Sequence, residues 1–385
     1  MKKLLLALAV LSAFTGIASA QTSIILYGSI DGAVRREEDN RTQVTRIRMR
    51  DASNYTTNRL GFRGVEDLGS GANAHFVLES GFFSGTGSQT IPGVAFDRLA
   101  FVGLTSVYGT LDLGRQYGPQ FYSAISYDPM ETHYTGFTPV TRNSISAAAN
   151  SPDNVIGNSR TDNAIQYTNK FGGLTVRAMY AFGETAFGPS AGSTQALGAV
   201  YQAPVFSLGA AYTRKRIIAD QTLTPGAVPP TSFFGNDLIP TAGRSKDSYQ
   251  DANYYTAGGT YTLGPLKGFL GYAKEERDTN AAQHRERNLW TGLKYNFTPL
   301  MAVTGAYFKT DLSSQRGGAS RKDLFVVSST YLISKRTTLF AEIDHANYFG
   351  LETPAVGAGQ FVLATQSPAS TAVRNGYSVG VSHSF

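Results

Sequence analysis
Cysteine is absent from this 385-residue chain, so neither a disulfide nor a thiolate metal site can form. Charged residues make up only 16%, against about a quarter in an ordinary soluble domain. Beyond Ala20 no apolar run is long enough to cross a bilayer as a helix, which excludes a helical membrane protein. Five histidines are present (His75, His133, His284, His345 and His383), and none sits at the spacing of a metal site or a nucleophile–base pair. No catalytic residue, metal or cofactor is therefore expected. The net charge is +6, or +4 without Lys2 and Lys3, which calls for no nucleic-acid partner.

Glycine is abundant at 41, as are tyrosine at 21 and phenylalanine at 23. The N-terminus combines Lys2 and Lys3, an apolar stretch from Leu4 to Phe14 and the small residues Ala18-Ser19-Ala20. That is the pattern of a cleaved secretory signal peptide over residues 1–20, with a single domain from Gln21 to Phe385. An exported chain rich in glycine and aromatics but lacking a spanning helix is either a secreted all-β protein or an outer-membrane β-barrel.

Period-two alternation runs through the chain. In SIILYGSIDGAVRR, Ile24, Leu26, Ile30 and Val34 share one face while Tyr27, Ser29, Asp31 and Arg35 share the other. Likewise Leu60 and Phe62 oppose Arg59 and Arg63. Phe76 and Leu78 oppose His75 and Glu79, and Val176 and Ala178 oppose Arg177. Sixteen such segments begin near Thr22, Thr57, Ala72, Val94, Thr110, Arg160, Leu174, Ser193, Val205, Asp251, Leu266, Arg285, Leu300, Arg321, Thr338 and Arg374. Each has about the ten residues that a tilted strand needs to cross the hydrocarbon layer. Short turns such as Gly264-Pro265 and Thr298-Pro299 alternate with long connections such as 37–56, 118–159, 218–250 and 349–373. A soluble sandwich has no reason to segregate loop lengths in this way. A transmembrane barrel with one periplasmic and one exterior end does.

Gly118 to Ser159 is too long for an ordinary connection inside a compact domain and carries Phe121, Tyr122, Tyr127, His133, Tyr134 and Phe137. Loops of this kind are functional or disordered, and the aromatics argue against a solvated linker. Sixteen strands enclose a lumen that side chains cannot fill, which gives such a loop somewhere to fold.

The motifs LYGSIDGAV, NRLGFRGVEDLGSGANAHFVLESGFF, RLAFVGLTSVYGTLDLGRQYGP, SKRTTLF and GVSHSF, spread from Gln21 to Phe385, resemble the general porins of Gram-negative outer membranes. The likeness is to the proteobacterial branch that includes anion-selective porins. It implies a sixteen-stranded, all-β antiparallel barrel, a homotrimer, a third long loop folded inward to narrow the pore, and a terminal phenylalanine, here Phe385, read by the barrel-assembly machinery. It also implies a constriction arginine cluster, which falls on Arg59, Arg98 and Arg160. Alternation independently points these three inward, with Arg98 opposing Leu99 and Phe101, and Arg160 opposing Ile165 and Tyr167.

Asp128 and Glu131 on the long loop are expected to face those arginines across the opening. Asp31, Arg35, Arg63, Glu79, Asp162 and Arg177 are expected to line the lumen. Arg115 shares its parity with Leu111 and Leu113, so it should point outward, where a charge in lipid costs about 2–4 kcal/mol. That places it against a neighbouring subunit. Expected partners are lipid and lipopolysaccharide, small hydrophilic solutes and inorganic ions. A solute-specific channel using Tyr122, Tyr127, Tyr134 and Phe137 as a slide is the alternative. A barrel enzyme is a remote one.

Overall fold
The computed structural model describes residues 23–40, 43–49, 55–135, 138, 160–184, 190–218, 249–278, 283–314, 318–350 and 372–385. The expected signal peptide and all of 139–159 lie outside them. The strands are β1 (Ser23–Asp39), β2 (Val44–Met49), β3 (Arg59–Gly69), β4 (Ala72–Gly81), β5 (Leu99–Ser106) and β6 (Gly109–Tyr117). A short helix α1 (Pro119–Ile125) follows. Then come β7 (Arg160–Phe171), β8 (Leu174–Ala181), β9 (Thr194–Gln202), β10 (Phe206–Ile218), β11 (Tyr249–Leu263), β12 (Leu266–Asp278), β13 (Gln283–Thr298), β14 (Met301–Ser314), β15 (Gly318–Leu332), β16 (Thr337–Gly350) and β17 (Ala372–Ser384).

All neighbours pair antiparallel, and β1 closes the sheet by pairing with β17 on one edge and β3 on the other. The result is a closed sixteen-stranded barrel. The additional strand β2 pairs with the upper half of β1, from Val34 to Asp39, above the part that β3 occupies. Closure is completed by two backbone hydrogen bonds, Gly28 N to Phe385 O and Phe385 N to Gly28 O, both 3.1 Å. A Cβ on Gly28 would meet the Arg59 carbonyl oxygen at 2.4 Å and the Phe385 ring at 2.6 Å, so only glycine fits there.

Strand starts fall within three residues of the sequence expectation, except that β5 begins at Leu99 rather than near Val94. The connections 278–284 and 312–320, whose sequence places them among the long ones, are short, because β12 and β13 extend to Asp278 and Gln283, and β14 and β15 to Ser314 and Gly318. Outward positions carry exposed Leu26, Ile30, Leu60, Phe62, Leu104, Leu197, Leu208, Leu293, Val327 and Val379. Inward positions carry buried Ser29, Asp31, Arg35, Glu79, Gln166, Thr256, Glu342 and Ser378. This inversion of a soluble protein suits a wall with hydrocarbon outside and water inside. The apolar core, accordingly, does not sit between layers of sheet. It lies where the long loop presses on the inner wall, joining Ala124, Tyr127, Met130 and Tyr134 to Tyr254, Trp290, Phe308, Leu324, Val326 and Tyr348.

Candidate functional site: the lumenal loop and the arginine wall
The loop leaves β6 at Gly118, and Pro119 opens α1 with the fixed φ that suits a first helical position. It then runs along the inner wall over a track of glycines. A Cβ on Gly198 would meet Pro119 at 2.9 Å, and one on Gly209 would meet Ser126 and Tyr127 at 2.9 Å. On Gly258 it would meet the Tyr127 ring at 2.4 Å, and on Gly292 it would meet Pro129 at 2.4 Å. These four close approaches let a chain lie flat against β9, β10, β11 and β13.

Side chains hold it there. Tyr127 Oη lies 2.6 Å from Thr256 Oγ1. Trp290 Nε1 donates to Tyr127 O at 3.1 Å and the two rings stack at 5.8 Å. Ser123 Oγ donates to Ala210 O, and Thr213 Oγ1 to Gln120 Oε1. At the far end Thr135 donates through its amide (3.1 Å) and hydroxyl (2.5 Å) to Glu342 Oε2, and receives Arg35 Nη1 at 3.3 Å. His133 stacks on Tyr55 at 4.9 Å, and Tyr55 on Phe340 at 4.4 Å, tying the loop to the residues that precede β3. Burial holds His133 below the ordinary histidine range and pushes the Tyr127 and Tyr134 hydroxyls up.

At the root of this loop, where Tyr117 stacks on Phe121, lies a set of arginines organised by Glu79 on β4. Arg98 Nε donates to Glu79 Oε1 at 2.5 Å, Tyr27 Oη donates to Oε2 at 3.0 Å, and Arg59 Nε lies 3.7 Å from Oε2. Arg98 Nη2 and Arg160 Nη2 share the Tyr117 hydroxyl at 2.9 and 3.1 Å. Arg59, Arg98 and Arg160 are thus brought into one cluster. Three further contacts hold guanidinium groups on ring faces: Arg160 over Tyr117 at 4.9 Å, Arg63 over Tyr27 at 5.4 Å and Arg177 over Tyr122 at 4.0 Å. An aromatic face fixes a cation without neutralising it. Among the described residues, Arg63, Arg160 and Arg177 have no carboxylate partner.

The alternation argument holds for Arg59 and fails for the other two. On β5, Leu99 pairs with Glu79 and Gly103 with His75, so Leu99 and Phe101 share the inward face, while Val102 and Leu104 are the exposed outward residues. Arg98 lies just before the strand and is aimed by its backbone, its amide donating to Glu79 O at 3.1 Å. In β7 a register shift sets Asp162 and Asn163 against Arg115 alone, with Asn163 at φ 53°, so alternation is broken between Ala164 and Arg160.

The same bulge corrects one further expectation. Asp162 does not line the lumen; its Oδ1 accepts from Arg115 Nη1, on the outward side. Arg115 points outward as expected, and its Nε also donates to Asp97 O at 2.8 Å, so it has partners within its own chain.

Neither loop carboxylate faces the arginines. Asp128 is fully buried, and its two oxygens accept from the Met130 and Thr132 amides at 3.1 and 2.8 Å. Burial pushes its pKa up to about 6. Glu131 turns instead to Lys294, at 2.8 Å, and Lys267, at 3.9 Å. Arg35 and Asp31 are inward but covered. Arg35 pairs with Asp344 at 2.6 Å beside Thr135, and Asp31 Oδ2 accepts from the Thr56 amide at 2.6 Å. Tyr127 and Tyr134 are buried, Tyr122 lies against Arg177, and Phe137 falls outside the described residues. Sequence reasoning missed Lys267, Lys294, Tyr55 and the glycine track. The inward parity of the two lysines beside Phe269 and Gly292 was available to find them.

A closed barrel with apolar residues outside, polar residues inside and a loop laid along its lumen defines a membrane-spanning channel. The chain matches the Gram-negative porin family over residues 7–350 and belongs to it. It is an outer-membrane porin, a channel and not an enzyme. An outer membrane porin protein of Bordetella pertussis is 29% identical, covering 93% of this chain and 99% of that protein. Outer membrane porin protein 32 of Delftia acidovorans is 29% identical over 100% of both. Among solved structures, an anion-selective porin from Comamonas acidovorans superposes with a TM-score of 0.73 at 23% identity, covering 95% of this chain and 100% of that one. An outer membrane protein of Vibrio cholerae in its trimer form gives 0.63 at 14% identity, covering 94% and 99%.

Proposed function
We propose that this porin is a homotrimer of water-filled channels for small hydrophilic solutes and ions, narrowed by the loop after β6 and preferring anions. One observation carries the anion preference. Arg63, Arg160 and Arg177 have no carboxylate partner among the described residues, while the loop carboxylate Glu131 is matched by two lysines. Expecting acidic residues across from arginine would give a transverse field with little net sign. Here the acidic side is neutralised, and fixed positive charge remains. Basic residues around a pore favour anions. A unit charge about 4 Å from an ion is worth roughly 1 kcal/mol in water and about 4 at an intermediate dielectric, and about 1.4 kcal/mol is a tenfold preference.

The test is the reversal potential of purified channels in planar bilayers across a potassium chloride gradient. The wild type is expected to prefer chloride, and Arg63→Ser with Arg177→Ser to lower that preference by roughly three- to tenfold. A clear cation preference in the wild type would sink the arginine assignment and spare the fold. A slide for sugars or aromatic solutes finds no support in the loop, since Tyr127 and Tyr134 are buried against the wall.

A further inference from the structure
Lys267 and Lys294 are direct cross-strand partners on β12 and β13, and both point inward. Like charges set opposite each other on one sheet face are unfavourable, so an anion between them stabilises the pair, beyond the Phe269 ring that lies 4.8 Å from Lys267 Nζ. In this structure Glu131 fills that role imperfectly, with Oε2 at 2.8 Å from Lys294 Nζ but Oε1 at 3.9 Å from Lys267 Nζ. Neither lysine has another carboxylate partner among the described residues, and one positive charge remains in excess. All three side chains reach water, with exposures of 40% for Glu131, 24% for Lys294 and 32% for Lys267.

Glu131 is aimed there at a conformational cost. It and Thr132 adopt φ of 51° and 63°, a region that residues with a Cβ avoid. Asp128 holds them in it by accepting the Met130 and Thr132 amides, and Pro129 packs on Gly292, two residues from Lys294 on the same inward face. Strain that the surroundings over-determine is characteristic of functional positions.

We propose that Lys267 and Lys294 form an oxyanion station on the channel wall, suited to doubly charged oxyanions such as phosphate and phosphate monoesters, with Glu131 as its built-in competitor. Two ammonium groups offer two separate point charges, and a tetrahedral dianion can give each an oxygen at hydrogen-bond distance, which Glu131 does for Lys294 alone. Its exposed side chain can swing away when such an anion arrives, then return and help expel it, the weak binding that throughput requires. This deepens the anion-channel reading and rests on it, but concerns different residues from the arginine wall.

The probe is inorganic phosphate at about pH 8, mostly doubly charged there, added to trimers conducting chloride in planar bilayers. Wild-type current is expected to fall in a concentration-dependent manner. Glu131→Gln should tighten that block by about tenfold. Lys267→Met with Lys294→Met should abolish it while leaving an open channel. A double-lysine variant that blocks like wild type, or a Glu131→Gln variant that blocks no more tightly, overturns the proposal. Reversal potentials on the same channels separate the two ideas. Cation preference with lysine-dependent block retained would reject the arginine assignment alone, and anion preference without block would reject the station alone.

Discussion

Arg98 reaches Glu79 for a reason that alternation does not supply. It precedes β5, and what points it is the hydrogen bond from its own amide to the Glu79 carbonyl. Asp128 illustrates the same limit from the other side, as a carboxylate placed in the middle of a pore loop that serves only the turn around it. Its titration follows from that burial. With a folded pKa of about 6 against an ordinary 3.8, the folded state binds the proton more tightly than the unfolded chain. The benefit is therefore fully present below about pH 4 and lost as pH rises through about 6. A shift of this size is worth on the order of 2–3 kcal/mol. Hydrogen exchange of the Met130 and Thr132 amides should accordingly quicken between about pH 4 and pH 7 beyond the intrinsic base-catalysed rise. In Asp128→Asn that extra component should vanish; an identical pH profile in both proteins would contradict the assignment.

At the scale of elements, the loop is held by packing on a wall shaped to receive it. Tyr127 fills the space above Gly258, stacks on Trp290 and closes a hydrogen bond to Thr256. Truncating a buried aromatic of this kind costs about 3–5 kcal/mol, whereas losing one hydrogen bond costs about 1. Tyr127→Ala is thus expected to release the loop, giving noisy conductance and protease cleavage between α1 and β7. Tyr127→Phe should keep quiet channels and an intact chain. Equal behaviour of the two variants would show that the anchor lies elsewhere. The glycines beneath the loop were visible in the sequence only as part of a high count. Their purpose appears once β9, β10, β11 and β13 are aligned side by side under one chain.

For the whole molecule, closure depends on the last residue meeting the first strand. Phe385 contributes two backbone bonds to Gly28 and covers it with its ring. Removing Phe385 should reduce the fraction of chains that reach the outer membrane as a folded barrel, read as the loss of the heat-modifiable band on gels. Gly28→Leu should do the same, because its side chain collides with the Arg59 carbonyl and with the ring. Full recovery of both variants as folded barrels would argue that closure rests on the other β1–β17 pairs alone.

The barrel was legible in the residues because strand alternation is set by covalent geometry: successive Cβ atoms point to opposite faces, and a wall between lipid and water writes that period along every strand. Turn chemistry and loop length then ordered the strands. The long loop between Gly118 and Ser159 stands out by its length and its aromatics, and alternation aims Arg59 inward. Arg98 and Arg160, by contrast, are reached through the family resemblance and are aimed by a backbone hydrogen bond and a bulge. What only the tertiary structure decided is which charges answer which. A bulge at Asp162 and Asn163 reverses a face, a left-handed turn sends Glu131 to Lys267 and Lys294, and Tyr127 meets Trp290 across 163 positions of sequence. Each depends on backbone dihedrals or on contacts between distant strands, and neither is encoded in the spacing of neighbouring residues.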